Sequence, residues 1–275
     1  MSNWDGFKCE LLTEVEVANA GRFILDDEFC CQEKHNGHRR VVVKEGSHLV
    51  MLNRSGVVRT LPGPLAMMLR RIPFDFVLDG EMLTGGTYIA FDLLSFQGLN
   101  ILGQEYRTRL TMLNENFTNI CKLLTVTRTA FTQEEKMSLL AELDAENAEG
   151  AVFKPLRGLY KNGKCGQQWK LKFWKTLSAI VGDRSIDDKT GGEKDGIDLL
   201  LYDSNMQLQR ISGCSLIGRV RVVKGDVIEV KYLYGSGDGH IIQPVMIMKR
   251  DDIEITECLM SQIKVSKNWN GVLAD

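Results

Sequence analysis

A chain of 275 residues exceeds the usual size of one domain, so two domains of unequal size are expected, each large enough to bury its own core. With 44% hydrophobic and 25% charged residues and no low-complexity tract, the composition is that of a globular protein and excludes a disordered or fibrous one. The net charge of −2 excludes a globally basic nucleic-acid binder.

The N-terminus carries Asp5, Lys8 and Glu10 and offers no apolar run of signal-peptide length, and nowhere do eighteen apolar residues follow one another. No membrane association is therefore expected. The seven cysteines are odd in number and lack CxxC spacing, which argues against a disulfide framework and a zinc site and for buried or incidental thiols.

In chain order, VVVK at 41–44 and HLVML at 48–52 read as a hairpin, followed by an NRSG turn at 53–56. Pro64 to Arg71 reads as a short helix. DFVLDGEML and GGTYIAFDLLSF read as two central strands joined by a Gly-Gly turn. The spacing of Leu110, Leu113, Phe117, Ile120 and Leu124 predicts a helix over 106–124, and Gln133 to Asn147 a second one, with Thr132 and Glu135 as its capping box. Strand character returns at EGAVFKP (149–155) and, after a Gly-rich basic turn, at WKLKF (169–173). The last hundred residues alternate short β runs such as DLLLYD, LIGRVRVV and DVIEVKYLYG with Gly and Asp turns, the pattern of a small barrel or sandwich. The expected architecture is α+β: an N-terminal domain of antiparallel sheets and helices over residues 1–177, and a β-barrel over 178–275.

Charge is unevenly spread. Lys154, Arg157, Lys161, Lys164, Lys170, Lys172 and Lys175 follow one another with no acidic residue between, which suits a solvated face or a phosphate-binding surface. The sharpest local feature is Glu33-Lys34-His35-Asn36-Gly37-His38-Arg39, a lysine before a polar turn and a hairpin. Alone it is a generic turn. Phe91 alone reads as core, Glu81 as a strand-end carboxylate, and Lys170 with Lys172 as one strand face.

Taken together and in order, these segments resemble the covalent lysine nucleotidyltransferase superfamily of ATP-dependent DNA ligases, RNA ligases and messenger-RNA capping enzymes, over nearly the whole chain. Lys34, Gly37 and Arg39 match its K-x-D-G-x-R, with Asn36 in place of Asp. Arg54 matches a following arginine, Asp79-Gly80-Glu81 the D-G-E, and Phe91-Asp92-Leu93-Leu94 the aromatic motif. Glu149 to Lys154 match E-G-hydrophobic-hydrophobic-x-K, and Lys170-Leu171-Lys172 matches K-x-K.

The resemblance implies an ATP-dependent DNA ligase in which Lys34 attacks the α-phosphate of ATP and carries AMP. A lysine amine is nucleophilic only when neutral, and neighbouring cations favour that form. Lys170, Lys172, Arg39 and Arg54 would offset phosphate charge or bind ribose, Gln32 would join the AMP site, and Phe91 would stack on adenine. Glu81 and Glu149 would hold Mg²⁺, an ion that favours oxygen ligands and keeps much of its water. Lys154, Arg157, Lys161, Lys164 and Lys175 would track the backbone of a nicked duplex DNA. The C-terminal barrel would be an OB-fold whose R-x-D-K motif orients pyrophosphate; Arg250 and Asp252 match it, Ile253 replaces its lysine, and Lys249 would substitute. The implied protein is a minimal two-domain monomer of a phage-infected or bacterial cytoplasm. An RNA ligase, a GTP-using capping-type enzyme and an inactive nucleic-acid-binding homologue are the alternatives.

Overall fold

A computed structural model describes Trp4 and residues 7–186, 193–216 and 221–267. Within it the chain forms two compact units, one built from Met1–Ala145 with Gly150–Lys172, the other from Glu146–Glu149 with Phe173–Gly271.

The first unit runs β1 (Glu10–Val15), α1 (Val17–Ile24), β2 (Phe29–Glu33), β3 (His38–Glu45), β4 (His48–Asn53), β5 (Val58–Arg59), α2 (Gly63–Arg70), β6 (Phe76–Met82) and β7 (Tyr88–Phe96). It continues with β8 (Leu99–Asn100), α3 (Tyr106–Phe117), β9 (Leu124–Val126), β10 (Thr129–Ala130), α4 (Gln133–Ala145), β11 (Gly150–Pro155) and β12 (Gly163–Lys172). Two sheets result. One has the order β1-β12-β11-β2-β10, and the other β5-β4-β3-β6-β7-β8 with β9 added beside β7. Pairing is antiparallel except for β1 with β12 and β7 with β9.

Alternation along the strands decides what each face meets. From β3, Val42 joins Leu78, Leu93 and the apolar faces of α2 and α3, while Val41 and Val43 join Cys9, Leu52, Val77, Leu94 and Tyr160 on the other side. The β3–β4 hairpin, the central β6–β7 pair and the short helix α2 agree with the sequence reading. Gly85 and Gly86, with φ of 99° and 88°, make the turn between β6 and β7 in a conformation that side chains avoid. The Thr132–Glu135 capping box is formed: Thr132 Oγ1 accepts from the Glu135 amide at 3.2 Å, and Glu135 Oε2 accepts from the Thr132 amide at 3.1 Å.

Two expectations are corrected. Leu124 does not extend α3; the helix stops at Phe117, Thr118 is extended, Asn119 turns to φ 61°, and Leu124 begins β9 against Tyr88. Asn tolerates that left-handed conformation, so a polar residue ends a pattern that apolar spacing alone would continue. The Gly-rich basic segment before Trp169 is strand, because β12 starts at Gly163 and pairs with β1 from Glu10 onward.

The second unit contains β13 (Lys175–Ile186), β14 (Glu193–Tyr202), β15 (Leu208–Ser215), β16 (Val227–Tyr232) and β17 (Val245–Arg250). They form one antiparallel sheet in the order β15-β14-β13-β16-β17 over a core including Ile197, Leu199, Ile211, Ile228 and Val230. The hydrogen-bonded order is open, and no closed barrel is formed among the described residues. DLLLYD and DVIEVKYLYG supply β14 and β16. Of the expected run LIGRVRVV, residues 217–220 lie outside the described residues and 221–223 are not strand. The cysteines are thiols that form no disulfide, and five of the seven are buried.

Candidate active site

A cavity partly open to solvent lies in the first unit, with about 410 Å³ of empty space when the solvent-open part is included. Gln32, Glu33, Lys34, His35, Arg39, Glu81 and Phe91 line it, with Leu12, Val152, Lys154 and Gln168. Both sheets contribute: β1, β2, β11 and β12 on one side, β3, β6 and β7 on the other.

Lys34 follows the last residue of β2, and its amide donates to the Gly150 carbonyl at 2.9 Å. That bond depends on Gly150, which has φ 154° and whose Cβ, if present, would fall on the Leu171 carbonyl oxygen. The glycine of the E-G pair thus holds the lysine of the K-x-x-G turn. Gly37 has a similar requirement, since a Cβ there would meet the Met82 carbonyl oxygen at the end of β6.

Arg39 and Glu81 are cross-strand partners on β3 and β6. Arg39 Nε and Nη2 each donate to the wholly buried Asp79 carboxylate at 2.7 Å, and the guanidinium stands 4.7 Å from the centre of the Phe91 ring. Burial alone would lower the Arg39 pKa, but the Asp79 charge and hydrogen bonds raise it well above the ordinary value. Tyr160 also donates to Asp79, at 2.6 Å. His35 Nε2 lies 2.9 Å from Thr127 Oγ1, with Nδ1 3.5 Å from Glu33.

Beneath Phe91 is a second network. The Phe91 carbonyl accepts from Tyr106 at 2.7 Å and from Lys154 Nζ at 3.2 Å. Lys154 is 4% exposed, its ammonium lies 4.4 Å from the Phe91 ring centre, and burial lowers its pKa to about 8. The neighbouring Asp92 is paired with Arg109 at 2.8 and 2.9 Å, both residues almost completely buried.

The other sequence candidates are placed differently. Lys154 belongs to the cavity and not to a DNA-tracking surface, because a side chain this buried cannot follow a phosphate backbone in water. Arg54 is exposed in the turn after β4 and does not line the cavity. Lys170 and Lys172 both approach Glu14 of β1, at 3.5 and 3.8 Å, and neither lines the cavity. Arg157 pairs with Glu28 at 2.9 Å, Lys161 and Lys164 are exposed, and Lys175 lies in the second unit, donating to the Phe173 carbonyl at 3.2 Å. Glu149 is 8% exposed and directly precedes Gly150 in sequence, in the segment grouped with the second unit.

In that unit Arg250 donates to Asp252 twice at 2.7 Å and lies 3.6 Å from Glu229, while Lys249 is 3.0 Å from Asp226. Ile253 packs against the apolar core, so an apolar residue at the position of the motif lysine is a packing residue here.

Sequence reasoning passed over Tyr106, Tyr160, Arg109 and Gln168. No local pattern marks the tyrosines, since each reads as an apolar-face residue until its hydroxyl partner is known. Among the described residues no cluster of three His, Cys, Asp or Glu side chains is placed to hold a metal ion. A nucleotide-borne magnesium ion needs fewer, one or two carboxylates being usual, and the cavity offers Glu81.

The sequence matches the family model described as ATP dependent DNA ligase domain over residues 84–173. Among solved structures the chain is similar to the ligase domain of LigD from M. tuberculosis, with a TM-score of 0.55, 19% identity, and 94% of this chain and 99% of that chain covered. It is also similar to a mycobacterial DNA ligase D complexed with ATP and MES, with TM-score 0.55, 21% identity and coverages of 94% and 99%. A third structure, from an analysis of the Lig E DNA ligases, gives TM-score 0.63, 16% identity and coverages of 88% and 99%. At these identities the likeness establishes the fold. No curated protein matches the sequence at a significant level.

Proposed function

We propose that this chain, an ATP-dependent DNA ligase, seals nicks in duplex DNA through an AMP held on Lys34. The observation that carries the assignment of roles is that Gln32, Lys34, Arg39, Glu81 and Phe91, from four separate segments, line one cavity. The ATP found with the mycobacterial ligase D supports the choice of nucleotide.

In this reading Lys34 attacks the α-phosphorus of ATP, the N–P bond forms as pyrophosphate leaves, and the ammonium proton passes to solvent. The AMP then moves to a 5′-phosphate at the nick, and the 3′-hydroxyl displaces it to close the strand. Such transfers depend mostly on positioning and charge neutralisation. Phe91 and Val152 would enclose the base, Glu81 would meet the ribose or the metal, and Arg39, Arg54, Lys170 and Lys172 would offset phosphate charge. Glu81 and Glu149 would hold Mg²⁺, which would neutralise charge on the phosphates when bound.

We also propose that residues 1–177 act as the nucleotidyltransferase domain and 178–275 as an OB-type domain. Lys249, Arg250 and Asp252 would there orient pyrophosphate, and the self-paired Arg250–Asp252 geometry would have to open to do so. The exposed Lys161 and Lys164 remain candidates for backbone contact, with Arg157 and Lys175. The chain would act as a monomer in the cytoplasm of a bacterial or phage-infected cell, and no helix among the described residues is long and apolar enough to cross a membrane.

The test is ATP-dependent sealing of nicked duplexes carrying every combination of DNA and RNA strands, beside Lys34→Ala. Sealing of all-DNA nicks by the wild type and loss in the variant are expected. Sealing confined to an RNA 3′-hydroxyl strand would assign an RNA ligase instead.

A further inference from the structure

Tyr106, the first residue of α3, belongs to none of the motifs and does not line the cavity, yet its hydroxyl touches three groups that do. It donates to the Phe91 carbonyl at 2.7 Å and receives Lys154 Nζ at 3.2 Å and Gln32 Nε2 at 2.8 Å. A phenol has one proton, and burial holds the Tyr106 pKa well above its ordinary value, so the proton stays. A carbonyl oxygen can only accept. The proton therefore lies toward Phe91, and toward Gln32 the hydroxyl can only accept.

Thr129 repeats the arrangement. Its Oγ1 donates to the Thr127 carbonyl at 3.3 Å and receives Gln32 Nε2 at 2.8 Å. The two N–H groups of the Gln32 carboxamide are thus both claimed by protein acceptors, with the side chain 2% exposed. The orientation of an amide is decided by such accounting. Its nitrogen is turned inward, and its oxygen is the polar atom left for the cavity that Gln32 lines.

We propose that Tyr106 is a positioning residue that sets the hydrogen-bonding polarity of the nucleotide pocket: by holding the Gln32 amide nitrogen it presents the Gln32 oxygen as an acceptor, which suits the exocyclic amine of ATP and opposes the 6-oxo group of GTP. The inference rests on the reading of this cavity as a nucleotide site. Without the Tyr106 hydroxyl the amide nitrogen is held only by Thr129, whose hydroxyl makes a long 3.3 Å bond to the Thr127 carbonyl and can turn to donate instead, so the amide can rotate and offer an N–H to an oxo group, and selectivity falls along with ATP affinity. A site built around a fixed polar group discriminates because the wrong partner leaves that group buried and unpaired.

The experiment measures ATP and GTP dissociation constants by calorimetry for the full chain and for Tyr106→Phe, with labelling of Lys34 by radioactive ATP run alongside. The ratio of the GTP constant to the ATP constant is expected to fall about tenfold in Tyr106→Phe, with KM for ATP rising more than kcat falls. An unchanged ratio in a variant with the wild-type circular dichroism overturns the proposal. Gln32→Leu, which removes the acceptor and leaves Tyr106 in place, is expected to lower the ratio as much, and adding Tyr106→Phe to it lowers the ratio no further. Full ATP preference in Gln32→Leu, or a further fall in the double variant, also overturns it, and the Gln32→Leu arm stands even where Tyr106→Phe does not fold. Selective ATP binding that fails to label Lys34 counts against the ligation mechanism and for the pocket inference, whereas binding of neither nucleotide overturns both.

Discussion

Asp79, at 0% exposure on β6, holds Arg39 of β3 by two parallel hydrogen bonds of 2.7 Å and thereby keeps the guanidinium against Phe91. Removing one partner of a buried pair leaves the other charge without compensation, which typically costs about 3–5 kcal/mol. Asp79→Ala is therefore expected to lower the free energy of unfolding by that order and to weaken ATP binding as Arg39 is released. Equilibrium unfolding and an ATP titration check both, and a variant with wild-type stability would contradict the pairing.

Gly150→Ala should act on the nucleophile without touching it. The added methyl meets the Leu171 carbonyl, so β11 must shift away from β12 and the Gly150 carbonyl moves from the Lys34 amide. A loss of about 2 kcal/mol or more is expected together with a drop in adenylate formation of about tenfold or more. Thermal melts and a labelling time course would show it; rapid labelling at unchanged melting temperature would refute the coupling.

Burial lowers the Lys154 pKa to about 8, below the ordinary lysine value of 10.5. Between those two pH values the unfolded chain binds more protons than the folded one, so stability rises with pH. Below about 8 both states are protonated and the full cost of the buried charge is present; above about 10.5 both are neutral and the cost is gone. Relative to Lys154→Met, the wild type is thus expected to gain stability from about pH 8 to about pH 10. A pH series of melting temperatures measures this, and a falling difference would contradict the burial of the charge.

Arg250 and Asp252 lie at the solvent-exposed end of β17, where water screens their ion pair and leaves it little to contribute to stability. Arg250→Ala should then melt within a few degrees of the wild type while slowing adenylate formation from ATP. Sealing of a DNA already carrying a 5′-adenylate should change much less. An equal loss in both assays would remove Arg250 from the pyrophosphate step.

Nick affinity should fall with salt, and Lys161→Ala with Lys164→Ala should reduce the slope of log K against log salt by about 2, since each lysine that neutralises a phosphate adds about one to it. Arg157, already 2.9 Å from Glu28, should contribute less than either lysine. Filter binding across a salt series would decide, and a slope unchanged by the double substitution would place the DNA elsewhere.

Much of the site is legible in the sequence because its motifs are local. Asn-Gly after Lys34, the Asp-Gly-Glu at the end of β6 and the Glu-Gly at the start of β11 each occupy a strand end or turn, where a few residues decide the backbone, and the aromatic Phe91 lies within β7. Strand alternation likewise puts Lys170 and Lys172 on one face without further information. Lys154 reads as solvated because it stands among other cations in sequence, and only its depth beneath Phe91 shows otherwise. The length of α3 is overestimated because apolar spacing runs on past the point where Asn119 takes a left-handed turn.

The sequence by itself therefore marked out the β3–β4 hairpin, the β6–β7 pair and the helices α2 and α4, and it brought forward Lys34, Arg39, Glu81 and Phe91 as site candidates. Only the tertiary structure decided that Asp79, Tyr160, Tyr106 and Lys154 support them. These contacts span as many as 81 positions along the chain, between side chains whose polarity gives no sign of the partner. Hydrogen-bond direction is a property of pairs, and pairs exist only once two sheets have been brought together.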